Sequence, residues 1–184
     1  MDRYFVKADD VYDFSLLPEY GEKTRKFSGE ERKIKSRGFG PYFSEIGEDA
    51  RYYEAGRFRL DGLLYRLIIY RHEGFGDVTA LTFQLNSYGN ADAPIDAVVL
   101  DSLWAFEEAE FSRWFRVSRN AIEIVHYVTF IAEIVDGGDI GDPIEKPYAQ
   151  PYRTERYRID KGRFELLLEV DFPFNVPGYG IKMF

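Results

Sequence analysis

The sequence predicts an all-β protein: an antiparallel meander of about eight strands forming a curved sheet, barrel or sandwich, with an irregular N-terminal segment. Three observations carry this. Aromatic residues make up 17% of the 184 residues, with 16 Phe, 14 Tyr and 2 Trp, and a pleated surface accommodates such rings together with β-branched side chains. Apolar and polar residues alternate with a period of two along successive short runs, the spacing of a strand and not of a helix. The connectors between those runs are too short for parallel crossovers, which need a dozen or more residues. Antiparallel neighbours follow.

Residues 1–47 show little periodicity and many breakers, among them Pro18, Gly21, Gly29, Gly38, Gly40 and Pro41. Within them a basic arm, 23–37, holds seven basic residues against Glu30 and Glu31. Such a run is expected to lie on the acidic body or to be solvated. Its single aromatic, Phe27, gives poor interleaving for base stacking.

The β meander spans 48–170. Arg57 to Leu60 alternates, Asp61-Gly62 supplies a two-residue turn that tolerates positive φ, and Leu63 to Arg71 resumes the pattern, which makes a hairpin. Val78 to Tyr88 alternates throughout, Ile95 to Trp104 has a Val98-Val99-Leu100 centre, and Phe111 to Val117 follows an acidic connection through Glu107, Glu108 and Glu110. Ala121 to Val135 reads as one long, bent strand, since Ile, Val, Phe, Tyr and Thr dominate it. Tyr152 to Asp160 and Phe164 to Val170 flank Lys161-Gly162-Arg163 as a second hairpin. The tail, 171–184, is expected to be extended, with aromatic anchors. The alternation assigns Leu67, Ile69, Leu81, Phe83, Leu85, Val99, Phe115, Ile124, Val128, Phe130, Leu166 and Leu168 to the core.

The length fits a single domain, 1–184. A formal charge of -8 argues against nucleic acid as the default partner, and the absence of cysteine excludes disulfides, thiolate metal sites and a cysteine nucleophile. No run reaches the length of an apolar membrane span, because Glu123, His126 and Glu133 interrupt the most apolar one. The acidic first twenty residues lack the pattern of a leader, so the chain as written is expected to be cytoplasmic, and secreted if a leader has been removed.

Chemistry-bearing signals are sparse. His126 falls in phase with Ile122, Ile124, Val128 and Phe130, the position of an interior histidine, and His72 sits at a strand end before glycines. No Gly-x-Ser-x-Gly, P-loop or His-Glu-x-x-His motif is present. Asp136, Asp139 and Asp142, with Glu145, recur every three residues in a glycine-bearing loop, a weak calcium candidate whose spacing departs from the EF-hand. No cofactor is implied, and the surplus acids, Asp96 and Asp101 among them, cannot be paired from sequence.

What remains is the aromatic excess. The expected function is that of a non-enzymatic binding protein using an acidic, Tyr-rich surface against a basic protein partner, in an inhibitor or immunity-type role. The alternative is a β domain that binds a glycan or a small hydrophobic ligand. Its candidate residues are Trp104, Trp114, Tyr127 and His126, with the two tryptophans sharing one surface across the Glu107 to Glu110 connection. Oligomeric state is left open, since no strand can be identified as a sheet edge.

Overall fold

The expected strands form, with Ala121 to Val135 divided in two. In the computed structural model, which describes residues 24–38, 46–73, 79–135, 139–177 and 182–183, a short strand β1 (Thr24–Lys26) and a one-turn helix α1 (Gly29–Lys33) precede β2 (Arg51–Leu60) and β3 (Leu63–Glu73). Then come β4 (Thr79–Tyr88), β5 (Pro94–Ala105), β6 (Ala109–Val117), β7 (Ala121–Phe130), β8 (Ala132–Ile134) and β9 (Ile140–Pro143). The chain ends in β10 (Ala149–Asp160), β11 (Arg163–Asp171), β12 (Phe174–Asn175) and β13 (Lys182–Met183). Nine strands make one sheet in the order β1-β2-β3-β4-β5-β6-β7-β10-β11, with every neighbour antiparallel. Both two-residue hairpins have positive φ at both turn positions: 51° and 82° at Asp61 and Gly62, 47° and 81° at Lys161 and Gly162. That conformation matches the twist of the strands it joins.

The sheet is curled, and β5 is its hinge. β5 pairs with β4 from Pro94 to Leu103 but with β6 only at Trp104 and Ala105. Between them, Arg37 lies parallel to Val98, its N–H bonded to the Ala97 carbonyl at 3.0 Å and its own carbonyl accepting from Val99 at 2.8 Å. The opposite end of the sheet folds back onto this strand. Asp96 accepts from the backbone N–H of Phe164 at 2.9 Å, and Ser87 donates to the Gly162 carbonyl. The curl is thus fastened at one corner by side chains and not by a continuous ladder.

The interior of the curl is apolar. Tyr65 and Leu85 from one half meet Val98 and Leu100 from β5 and Ile122, Ile124 and Phe164 from the other, all buried. Each such side chain contributes roughly 1.5 to 3 kcal/mol by leaving water. Phe83, Ile69 and Leu81 extend this core as the alternation predicted. Leu166 and Leu168 do not belong to it: they are 45% and 50% exposed. A bulge turns Leu168 outward, because Tyr157 pairs with Leu166 and Arg156 with Leu168, leaving Leu167 without a partner, whereas Leu166, opposite buried Tyr157, keeps the inward phase and is exposed because β11 is the last strand of the sheet.

Within the N-terminal segment, residues 24–38 pack against the sheet more centrally than expected. β1 pairs with β2, and α1 begins with a capping box in which Ser28 accepts from Glu31 N–H while the Glu31 carboxylate accepts from Ser28 N–H. Phe27, 3% exposed, meets Tyr52 and Tyr70 edge-on at 4.7 and 5.1 Å. A buried relay runs beneath it. Tyr70 donates to Gln84 at 2.7 Å, Gln84 to Asn86 at 2.7 Å, Asn86 to Tyr88 at 3.1 Å, and Tyr88 to Glu31 at 2.7 Å. The basic arm lies on the acidic body, with Arg25 on Glu54, Lys26 on Asp49 and Arg37 on Asp96.

One further departure concerns the long run after Ala121. It divides at Ile131, whose N–H turns to the Glu108 carbonyl, so that β8 leaves the main sheet and pairs with β9. The tail is anchored as expected: Phe174 lies against Phe130 and Tyr152, and Asn175 exchanges two hydrogen bonds with the Gln150 amide.

Candidate functional site

The four aromatic and histidine candidates divide between two places. In the β6–β7 ladder Arg113 pairs with His126, Trp114 with Val125, Ser112 with Tyr127 and Phe111 with Val128. Phe111, Arg113 and His126 therefore share the inner face, while Trp114 and Tyr127 share the outer face as diagonal neighbours. Trp104 pairs with Phe111 and stacks on its ring at 4.1 Å. The two tryptophans do not share a surface, since the odd spacing between Phe111's face and Trp114 sends their rings to opposite sides of the sheet.

The inner place holds buried ionisable groups, of which His126, Glu155 and Tyr157 are in contact. Asp101, His126, Glu155 and Tyr157 are each 5% exposed or less. Tyr157 donates to Glu155 at 2.8 Å, and His126 Nε2 lies 3.4 Å from Glu155 Oε1 without the alignment of a full hydrogen bond. Burial lowers the His126 pKa, so the imidazole is held neutral. Burial also pushes the Glu155 carboxyl up, but the His126 and Tyr157 contacts outweigh it and its pKa ends below the usual value. Asp101 accepts from the Arg113 backbone N–H at 2.9 Å, and burial pushes its carboxyl up to about 6.

His126 and Glu155 stand close enough to share a proton, but His126 is covered. Tyr152 stands edge-on to His126 at 5.7 Å and Phe174 closes over Tyr152. Two members escaped sequence reasoning. Glu155 falls in phase with Tyr157 and Ile159 on the inward side of its strand, and a carboxylate at an inward position is a readable signal. Asp101 was hidden among surplus acids, although it interrupts the most apolar stretch of β5.

The outer place is open to solvent. Across β6, β7, β10 and β11 the register sets Trp114, Val125, Thr154 and Val170 in one row, with Arg116, Glu123, Arg156 and Leu168 in the next. Trp114 is 52% exposed at the head of its row, and Tyr127 is half-buried beside it. The corresponding face of β2 to β4 is covered by the N-terminal segment, which takes Tyr52, Tyr70 and Tyr88 out of solvent. The Tyr-rich surface expected from composition is accordingly reduced, for Tyr65 and Tyr157 are interior as well.

Among the described residues no three His, Asp or Glu side chains come together as a metal site. Asp139, just before β9, and Asp142, within it, are exposed, while Asp136 and the side chain of His72 lie outside the described residues. No helix among the described residues is long and apolar enough to cross a membrane. Comparison with known proteins finds no matching family model, curated relative or solved structure.

Proposed function

We propose that this chain is a non-enzymatic binding protein that receives a protein partner on the outer face of β6, β7, β10 and β11. One observation carries the reading: that face is uncovered and has Trp114, 52% exposed, at the head of one of its rows, whereas the equivalent face of the other half is shielded by the chain's own N-terminal segment. A tryptophan beside arginines is the composition of an interface centre, where an aromatic anchor supplies area and guanidinium groups supply directed hydrogen bonds. Arg116 and Arg156 flank Glu123 in the adjoining row, so the contact is of mixed charge and not the uniformly acidic one expected from composition.

The test is affinity purification with the wild-type chain and Trp114→Ala, at low and at high salt. A specific partner retained by the first and lost by the second, with identical thermal melting of the two chains, supports the reading. Charged surroundings predict weaker retention at high salt. The rival is a glycan stacked on Trp114 and Tyr127. A glycan array hit that shifts tryptophan emission and is abolished by Trp114→Ala transfers the assignment to that rival, and the absence of any Trp114-dependent partner removes the protein reading.

A further inference from the structure

β1 covers only one end of β2. Thr24, Arg25 and Lys26 pair with Tyr53, Tyr52 and Arg51, and β2 then runs on to Leu60. Among the described residues, nothing is hydrogen-bonded to the backbone of that remaining margin from the side away from β3. Ala55 is buried, but from Gly56 to Leu60 the strand is open, with Arg57, Phe58 and Arg59 exposed. Alternation sets Arg57 and Arg59 on one face and Phe58 on the other, where its ring stacks on Tyr65 at 5.0 Å. Positive charge is in excess here. Glu54, the one acid of β2, is shared by Arg25 at 3.3 Å, Arg57 at 3.5 Å and Arg66 at 3.6 Å, and Asp92 offsets only Arg66. Arg59 meets no acid among the described residues and reaches the Gly62 carbonyl of its own hairpin at 3.5 Å.

We infer that Gly56 to Leu60 is a strand-addition site for an extended acidic segment of a partner protein. The backbone of that segment pairs with the open margin, and its carboxylates, at alternate positions, face Arg57 and Arg59. Charge selects the occupant. Two-fold pairing of this stretch with that of a second copy sets Arg57 opposite Arg59, and like charges directly opposite are destabilising. The acids of a copy's β11 do not serve either, because Arg158 holds Glu165 while Arg153 holds Glu169 and Asp171. A basic segment is repelled in the same way as a copy of β2. An acidic one adds charge-assisted bonds to the ladder, since a guanidinium takes a carboxylate in a fork. The two arginines therefore protect the edge from indiscriminate pairing and admit one class of strand.

This site lies apart from the outer face of β6, β7, β10 and β11, so Trp114→Ala should bind the probe as wild type does, and that variant separates the two readings. The experiment is a fluorescence anisotropy titration of the full chain with short labelled peptides. One alternates glutamate with valine, one alternates lysine with valine, and one has the acidic sequence with its backbone nitrogens methylated. At low salt the acidic peptide is expected to bind wild type with a Kd of about 100 µM, and the lysine and methylated peptides at least about tenfold more weakly. Arg59→Glu should lose at least about tenfold for the acidic peptide. Arg59 is exposed and holds no acid, so circular dichroism and melting of the variant should match wild type. If it misfolds, Arg59→Ala decides, with a loss of at least about threefold. No binding of the acidic peptide up to about 1 mM overturns the inference. So does equal binding of the methylated peptide, which leaves charge attraction without a ladder, or an affinity unchanged in Arg59→Glu. A loss in Trp114→Ala moves the peptide to the outer face, and sedimentation showing a dimer that Arg59→Glu abolishes gives the edge to a second copy; either result overturns it.

Discussion

Asp101 sets burial against charge within a single side chain. Its folded carboxyl titrates at about 6 against a reference of 3.8 because the group is enclosed, with the Arg113 guanidinium and backbone N–H only partly compensating. The folded state therefore binds this proton more tightly than the unfolded one. Its contribution is most favourable below pH 3.8, is lost as pH rises through 6, and is constant above. Asp101→Asn keeps an acceptor for Arg113 and removes the ionisation, so urea melts should show a gain of up to about 3 kcal/mol at pH 7.5 that vanishes near pH 4. His126 acts in the opposite sense. Its pKa is lowered, so its contribution is present above its unfolded value of about 6.5 and is lost as pH falls. The variant's stability should then rise with pH across this range, and a profile parallel to wild type contradicts the account. His126 was legible in the sequence because it keeps phase with its apolar neighbours. The tyrosines were less so: a ring with a hydroxyl suits a recognition surface and a core with a hydrogen-bond acceptor equally, and only the arrival of Glu31 and Glu155 beside Tyr88 and Tyr157 decides for the core.

At the scale of elements, period two and short turns were sufficient to place all eight long strands, and Asp61-Gly62 and Lys161-Gly162 to place two hairpins. What alternation could not convey was where it fails. The bulge in β11 and the division of the run at Ile131 both depend on partners distant in sequence, namely the β10 register and the Glu108 carbonyl. The same holds for the fastening of β11. Asp96 lies 68 residues from Phe164, yet one carboxylate caps the Ala97 N–H, takes the Phe164 N–H and faces Arg37. Asp96→Ala leaves a buried backbone donor unpaired, at a cost of about 1 to 3 kcal/mol. Hydrogen exchange should show the loss first at Phe164 and the adjoining end of β11, with β3 and β4 still protected. Uniform acceleration across the sheet is the result that contradicts a local fastening.

For the whole molecule, the basic arm lies on the acidic body, one of the two placements its composition allowed, and residues 24–38 are a structural member. Its charges neutralise Glu54, Asp49 and Asp96, while Phe27 and Glu31 fill the far side of β2 to β4. Removing residues 1–38 uncovers Tyr52, Ile68 and Tyr70 and takes the Glu31 acceptor from the Tyr88 hydroxyl. Burial of one Phe alone is worth about 3 to 5 kcal/mol against truncation to Ala, so the shortened chain should melt roughly 10 °C or more lower, or bind a hydrophobic dye at room temperature. An unchanged melting temperature contradicts the assignment. The order of the main sheet also bears on how the chain folds. Every neighbouring pair but β7 and β10 is consecutive in sequence, so most pairings close short loops at little entropic cost. The contacts of Asp96 with Phe164 and of Ser87 with Gly162 span 68 and 75 residues and are therefore expected to form late.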